Sequence, residues 1–251
     1  MIRSIAPSES KSCCDKRMRT RTIDSPRRIS RTALQAGSIE NIDKPEGWTS
    51  FDVVNKLRRA TGVKKVGHAG TLDPFATGVL LVCFAKATKQ VSELMALDKE
   101  YVGMVELGIK TDSHDVTGKI VDRFEVPPLS VEQVEQALTK YRGEILQRPP
   151  MFSAIKQGGR RLYKIARAGK TVEVEPRPVI IYDLQMTRFE SPLLEIRMVC
   201  SRGTYVRALA RDLGDDLGCG AVLKSLRRTR IGNYRVEESF QVEQFIASLT
   251  I

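Results

Sequence analysis

The sequence predicts an α+β fold, a mixed and mostly antiparallel central sheet flanked by helices and loops. Three observations carry that expectation. Segments that alternate every two residues, or run apolar for strand length, recur between Ser38 and Val236. Segments with three- and four-residue apolar spacing lie among them. The two kinds do not alternate strictly, as a doubly wound parallel sheet would require. The 251 residues suffice for one sizeable core.

In chain order, residues 1–37 read as a disordered basic arm. Up to residue 40 there are nine Lys/Arg against four Asp/Glu, many Ser and Thr, and almost no apolar periodicity. Such an arm suits an RNA-tracking tail, an organellar presequence or a solvated extension; Glu9, Asp15 and Asp24 weigh against the presequence, which is acidic-poor. Ser38 to Asp43 forms a short strand that stops at Lys44-Pro45 and the turn around Gly47. Thr49 or Ser50 caps a helix whose apolar positions, Val53, Val54, Leu57 and Ala60, recur until Gly62 ends it. Gly67 to Pro74 is a turn-rich loop, Gly78 to Ala85 a buried strand, and Thr88 onward helical through Val91, Leu94 and Met95.

Tyr101 to Gly108 alternates as a strand, with Ile120 to Phe124 as its candidate partner. Ser130 with Gln133 is a capping box opening a helix to about Tyr141. Arg161 to Ala168 is a short helix; Val172 to Val174, Val179 to Arg188 and Leu193 to Cys200 are strands. Tyr205, Leu209, Leu213 and Leu217 share one face of a helix, and Arg207, Arg211 and Asp215 another. A strand near Ile231 to Val236 and a helix to Leu249 follow. No repeat and no linker interrupts the chain after residue 41, so residues 38–251 are expected to form a single domain.

Composition narrows the function. Against 30 Asp+Glu stand 41 Lys+Arg, a formal net charge of +11 that favours a polyanionic partner. The longest apolar run, around Val79 to Ala85, falls far short of the roughly 18 residues that span a bilayer. From Lys140 to Lys170 there are nine basic residues and one acid, Glu144, interleaved with Tyr141, Phe152 and Tyr163. That local excess is the footprint of phosphate binding, and the remainder of residues 41–251 sums to about −2. Five cysteines without a C-x-x-C pair, beside two histidines, argue against a disulfide framework or a zinc site and for reduced thiols.

The segment Gly67-His68-Ala69-Gly70-Thr71-Leu72-Asp73-Pro74 concentrates the chemistry. Its glycines permit close backbone approach, and Pro74 biases Asp73 toward an extended conformation, so one carboxylate is presented ahead of a buried strand. Asp73 is either a structural residue of an Asp-Pro turn or a functional group. The second carboxylate of a retaining glycosidase and the acidic cluster of a phosphoaspartate enzyme are not recognisable beside it. A single Asp is a competent covalent nucleophile where a cation keeps it ionised and water is excluded. Arg207 is a possible partner, or else the member of a surface pair with Arg211 and Asp215.

These residues carry a resemblance. GHAGTLDPFATGVLLVCFAKATK, from Gly67 to Lys89, is similar to the active-site motif of the TruB-type tRNA pseudouridine synthases. DKPEGWTS from Asp43, DKEYVG from Asp98, RPPMFSAIKQGGRRLYKIARAG from Arg148 and CSRGTYVRALARDLGDDLGCGAVLKSLRRTRIG from Cys200 resemble further blocks of that family, in family order. The resemblance covers residues 38–236 and implies the pseudouridine-synthase fold. It implies conversion of the uridine at position 55, in the T loop of tRNA, to pseudouridine, with base flipping and with no cofactor or metal. Asp73 then matches the nucleophile, Tyr101 the aromatic that stacks on the flipped uracil, and Arg207 the arginine paired with the aspartate. His68 matches a histidine that fills the gap left by extruded bases, and Lys44 and Pro45 a motif near the site. Lys89 matches a lysine that touches phosphate, and Leu226 an apolar wall of the uracil pocket; Tyr205 lines that pocket or packs in the core. Arg148, Lys156, Arg160, Arg161 and Lys164 become contacts to the T arm.

Two departures stand out. Ala69 occupies a position where the family often has Thr, and only about fifteen residues follow Val236, too few for the C-terminal RNA-binding domain of the PUA kind that many relatives carry. The resulting expectation is a cytoplasmic, monomeric enzyme of tRNA without membrane contact. Other stem-loop RNAs as substrate, and a non-catalytic tRNA-binding or folding module, are the alternatives.

Overall fold

A computed structural model describes residues 28–250 other than 154, 158 and 168–171, with the backbone alone for Lys156, Gln157, Arg160, Arg161, Tyr163, Lys164 and Arg167. A ten-stranded sheet organises the chain. Its main path runs Phe240–Gln241, Ile39–Lys44, Thr77–Phe84, Ala221–Ile231, Lys99–Leu107, Leu193–Cys200, Arg177–Glu190 and Gly143–Gln147. Val66–Ala69 pairs with Thr77–Phe84, and Tyr234–Arg235 with Ala221–Ile231. Two pairings are parallel, Phe240–Gln241 on Ile39–Lys44 and Ala221–Ile231 on Thr77–Phe84, and the other pairings of the sheet are antiparallel. The mixed, mostly antiparallel α+β architecture is the one the sequence predicts.

Local chemistry sets the helices. Thr49 is the N-cap of Ser50–Thr61: its hydroxyl accepts from Asp52 N while the Asp52 carboxylate accepts from Thr49 N, and Gly62 ends the helix in the left-handed region at φ 73°. Ser130 and Gln133 close the same box on Val131–Thr139. The Thr77–Phe84 run is continuously apolar because both its faces are covered. Leu80, Val82 and Phe84 pack with Val53, Leu57 and Phe245, whereas Val79, Leu81 and Cys83 pack with Leu94 and Ile231. A third cluster fills the space between the long strands and the helix Val206–Asp216, with Leu107, Leu184, Ile196, Leu209 and Leu213 buried in it.

The structure departs from expectation in five places. Residues 28–37 do not belong to the arm: Ile29–Ser30 pairs in parallel with Leu249–Thr250, and Leu34 of the helix Arg31–Ala36 is buried against the second cluster. The first residues of the expected Gly67–Pro74 loop are a strand, Val66–Ala69, hydrogen-bonded to Leu81–Phe84. Ile120–Arg123 pairs with Ile109–Thr111, since both edges of Lys99–Leu107 are already taken. The expected strand Val172–Val174 lies outside regular structure, while Gly143–Gln147 supplies an edge strand inside the basic stretch. The largest difference is Ala221–Ile231, a central strand that begins ten residues before the one expected at Ile231. Two register shifts, at Leu223/Ser225 and Arg228/Arg230, break its alternation, and its basic residues disguise burial. Among the described residues, no helix is long and apolar enough to cross a membrane. Residues 1–27 of the expected arm lie outside the described residues.

Candidate active site

The loop from Gly70 to Ala76 joins two neighbouring strands and is pinned from below. The carbonyl of Asp73 accepts from Ala76 N at 3.1 Å, a β-turn with Pro74 at its second position. Leu72 N donates to Ser50 Oγ at 2.9 Å, so the first residue of a helix anchors the loop. The carbonyl of Pro74 accepts from Gly47 N at 2.8 Å and from Lys44 Nζ at 3.1 Å. Lys44 also donates to the carbonyls of Pro45 and Trp48, at 2.7 and 2.6 Å, and is fully buried. Burial lowers its pKa to about 8. Lys44 is therefore a strut beneath the loop.

Above the loop opens a cavity of about 630 Å³, lined by Asp73, Tyr101, Tyr205, Arg207, Leu226 and Arg228 among others. Arg207 sits in the first turn of the helix Val206–Asp216 and is buried. Its Nε lies 2.9 Å from Asp73 Oδ2 and its Nη2 3.1 Å from Oδ1, a two-point pairing that fixes the carboxylate plane. The remaining donors go to Phe152 O at 2.9 Å and to Ser113 O at 3.0 Å, with Asp115 Oδ2 at 3.4 Å. The alternative pairing of Arg207 with Arg211 and Asp215 is not formed: Arg211 pairs with Asp212 and Asp215 with Lys110.

Asp115 was not singled out by sequence reasoning. It is buried, accepts from Ser113 Oγ at 2.8 Å and from Thr117 N and Oγ1 at 2.9 and 2.6 Å, and faces Arg207 from the side opposite Asp73. Desolvation pushes the Asp73 pKa above its ordinary value, Arg207 opposes that rise, and Asp115 adds to it. Arg207 thus favours the ionised carboxylate against the desolvation that opposes it.

Tyr101 stands in the strand Lys99–Leu107, and burial raises its hydroxyl pKa. Leu226 is buried and lies across from Gly103 in register. Tyr205 lines the cavity, its N–H donating to Gln147 Oε1 at 2.8 Å and its carbonyl accepting from Gln147 Nε2 at 3.1 Å.

Other expected residues are not brought to this cavity. His68 is half-buried in the strand Val66–Ala69, where burial depresses its pKa, and Lys89 is exposed at the end of the turn Ala85–Gln90; neither belongs to the cavity lining. Arg148 is exposed and borders a smaller cavity of about 350 Å³ beside His114 and Arg211. The side chains of Lys156, Arg160, Arg161 and Lys164 lie outside the described residues. Lys140 pairs with Asp216 at 3.0 Å and Arg142 with Glu135, so the first two cations of the basic stretch are already neutralised.

Comparison with known proteins decides the family. A family model described as TruB family pseudouridylate synthase (N terminal domain) matches residues 58–206, more than half of the chain. The chain belongs to the TruB family of pseudouridylate synthases. A second model, tRNA pseudouridylate synthase B C-terminal domain, matches residues 207–251. The chain is 45% identical over 216 residues to tRNA pseudouridine synthase B of Francisella philomiragia subsp. philomiragia, covering 86% of this chain and 72% of that protein. It is 45% identical over 217 residues to the protein of the same name from Francisella tularensis subsp. tularensis, with the same coverage.

Among solved structures, a Cbf5-Nop10-Gar1 complex matches with a TM-score of 0.67 and 29% identity, over 86% of this chain and 60% of that one. An H/ACA RNP bound to a substrate RNA containing 2'-deoxyuridine matches with a TM-score of 0.64 and 28% identity, over 85% of this chain and 53% of that one. The fold is that of the pseudouridine synthases, and this TruB-family chain is an isomerase. The two family segments meet between Val206 and Arg207, so the Asp73–Arg207 pair joins them at the cavity wall.

Proposed function

We propose that this TruB-family enzyme isomerises the uridine at position 55, in the T loop of tRNA, to pseudouridine, with Asp73 as nucleophile. The observation that carries the reading is the two-point pairing of Asp73 with Arg207 at 2.9 and 3.1 Å at the wall of a cavity of about 630 Å³. The names of the curated relatives supply the tRNA. A base in a folded loop must leave its stack to reach a recessed carboxylate, at a cost of a few kcal/mol. Tyr101 and Leu226 then enclose the flipped uracil, with Tyr205 beside them, and Arg207 holds Asp73 aimed at the nucleoside. The N1–C1′ bond breaks, the uracil turns over, and a C5–C1′ bond forms; C5 gives up its proton and N1 gains one.

Outside the cavity, exposed Arg148 and Lys89, together with Lys156, Arg160, Arg161 and Lys164, contact the T-arm phosphates, and His68 fills the space that the flipped base leaves. The RNA footprint is electrostatic, in keeping with the net charge of +11. We read the chain from Ile29 onward as one catalytic domain acting as a monomer, because the sheet continues through both family segments. The free, buried thiols of Cys83, Cys200 and Cys219 suit the cytoplasm.

Substitution Asp73→Asn tests the assignment. It is expected to leave tRNA binding nearly intact and to abolish product in single-turnover assays, whereas retained turnover would remove Asp73 from the role of nucleophile.

A further inference from the structure

Arg228 is the most deeply buried cation among the described residues lining the cavity, with 1% of its surface exposed. Its neighbours make it unusual. Arg207 faces two carboxylates, but among the described residues Arg228 forms no ion pair with any acid. The ionisable groups it acts on include His68, Lys44, Lys99, Tyr101 and Cys200, none of them a carboxylate. A buried guanidinium without a counter-charge is costly unless its donors are used in full.

Those donors reach three separate parts of the site. Nε donates to Val79 O at 2.7 Å, and Nη2 donates to Gly70 O at 3.1 Å, three residues before Asp73. Arg228 is also the direct cross-strand partner of Tyr101 in the pairing of Ala221–Ile231 with Lys99–Leu107, and both side chains line the cavity. Side chains opposite one another in an antiparallel pair lie on the same face and within reach. The Arg228 guanidinium is thereby placed beside Tyr101 and favours negative charge on its oxygen. A guanidinium has donors only, so towards it the tyrosine oxygen can only accept. The hydroxyl proton of Tyr101 is then free to point into the cavity.

We propose that Arg228 is a positioning residue for the isomerisation: it orients the Tyr101 hydroxyl toward the substrate base while holding the Gly70 end of the catalytic loop. The inference rests on the reading of the cavity as the uridine site. A phenol whose oxygen accepts from a fixed cation is set to donate to the base and to take a proton back at the same oxygen. In the isomerisation C5 loses one proton and N1 gains one, so a hydroxyl that gives one proton and receives another closes the balance without any exchange with an outside acid or base. The uncompensated charge of Arg228 also favours whatever negative charge develops on the detached uracil.

A double-mutant cycle tests this. Single-turnover pseudouridine formation and tRNA binding are measured for the full chain and for Arg228→Gln, Arg228→Lys, Tyr101→Phe and the Arg228→Gln/Tyr101→Phe pair. Arg228→Gln is expected to slow the reaction about 100-fold, a size typical of a proton-transfer contribution, with tRNA affinity changed by no more than about threefold. Arg228→Lys is expected to recover about tenfold of that loss by restoring the cation. In the Tyr101→Phe background the arginine substitution should cost little more, because the hydroxyl it orients is gone. Equal losses in both backgrounds, or a lysine variant no faster than the glutamine variant, would overturn the proposal and leave Arg228 a packing residue. Asp73→Asn is run in parallel: turnover in that variant would defeat the reading of the cavity itself, whatever the Arg228 results.

Discussion

At Asp73 opposing influences compete, desolvation and Asp115 raising the pKa and Arg207 and Lys44 lowering it. With Asp73 in the proposed role of nucleophile the carboxylate form is the active one, so the acid limb of the rate profile should lie above the ordinary Asp value, with activity lost as pH falls through it. Asp115→Asn removes one of the upward influences and is expected to move that limb to lower pH. The same substitution removes the buried carboxylate that pairs with Arg207 at 3.4 Å and should slow the reaction about 10- to 100-fold at neutral pH. A pH–rate series on the two proteins checks both, and an unmoved limb would show that Asp115 does not act on Asp73. Asp73 was legible because GHAGTLDP puts a carboxylate ahead of Pro74 in a glycine-flanked loop. Asp115 was not, because nothing in TDSHDVTG links it to Arg207, which lies far along the chain and meets it only through the fold. Lys44 was legible only as part of a motif near the site; that three backbone carbonyls take its ammonium shows only in the fold.

At the scale of elements, the strongest demand falls where Thr77–Phe84 meets Ala221–Ile231. Gly78 has φ 102°, and a Cβ added there would lie 2.2 Å from the Arg228 carbonyl oxygen. Gly78→Ala should therefore cost about 3 kcal/mol or more, read from urea unfolding. Gly62→Ala is the control: its φ is 73° but a Cβ there meets nothing within 4 Å, so the cost should be only about 1–2 kcal/mol. Equal costs would deny the close approach of the two strands. Helix ends and alternating strands were readable because their signals are local, and even the choice between Thr49 and Ser50 resolves physically. Thr49 caps the helix, while Ser50 turns inward to hold Leu72. Ala221–Ile231 was not readable, because bulges reset its alternation twice and its buried Arg228 looks like a surface residue.

Over the whole molecule, the formal charge of +11 is not all available to RNA. Lys140 and Arg142 are paired with Asp216 and Glu135, which leaves the later part of the basic stretch to carry phosphate contacts. Replacing Arg160 and Arg161 with Gln should weaken tRNA binding and flatten the slope of log affinity against log salt by about one unit or less per contact. Lys140→Gln should leave the slope unchanged, and the opposite pattern would move the RNA path to the first turn of that stretch. Fold class and family were legible in the sequence, because five ordered motifs span residues 38–236; the strand Ile29–Ser30 was not, because its pairing with Leu249–Thr250 joins residues far apart in the chain. The central claim is that Asp73 in this cavity converts uridine 55 of tRNA. It is tested most directly by mapping pseudouridine, after a pseudouridine-selective mass label, in tRNA from a strain lacking the enzyme and supplied with either this chain or its Asp73→Asn variant. The account predicts label at position 55 with the first and none with the second; label with both, or with neither, would contradict it.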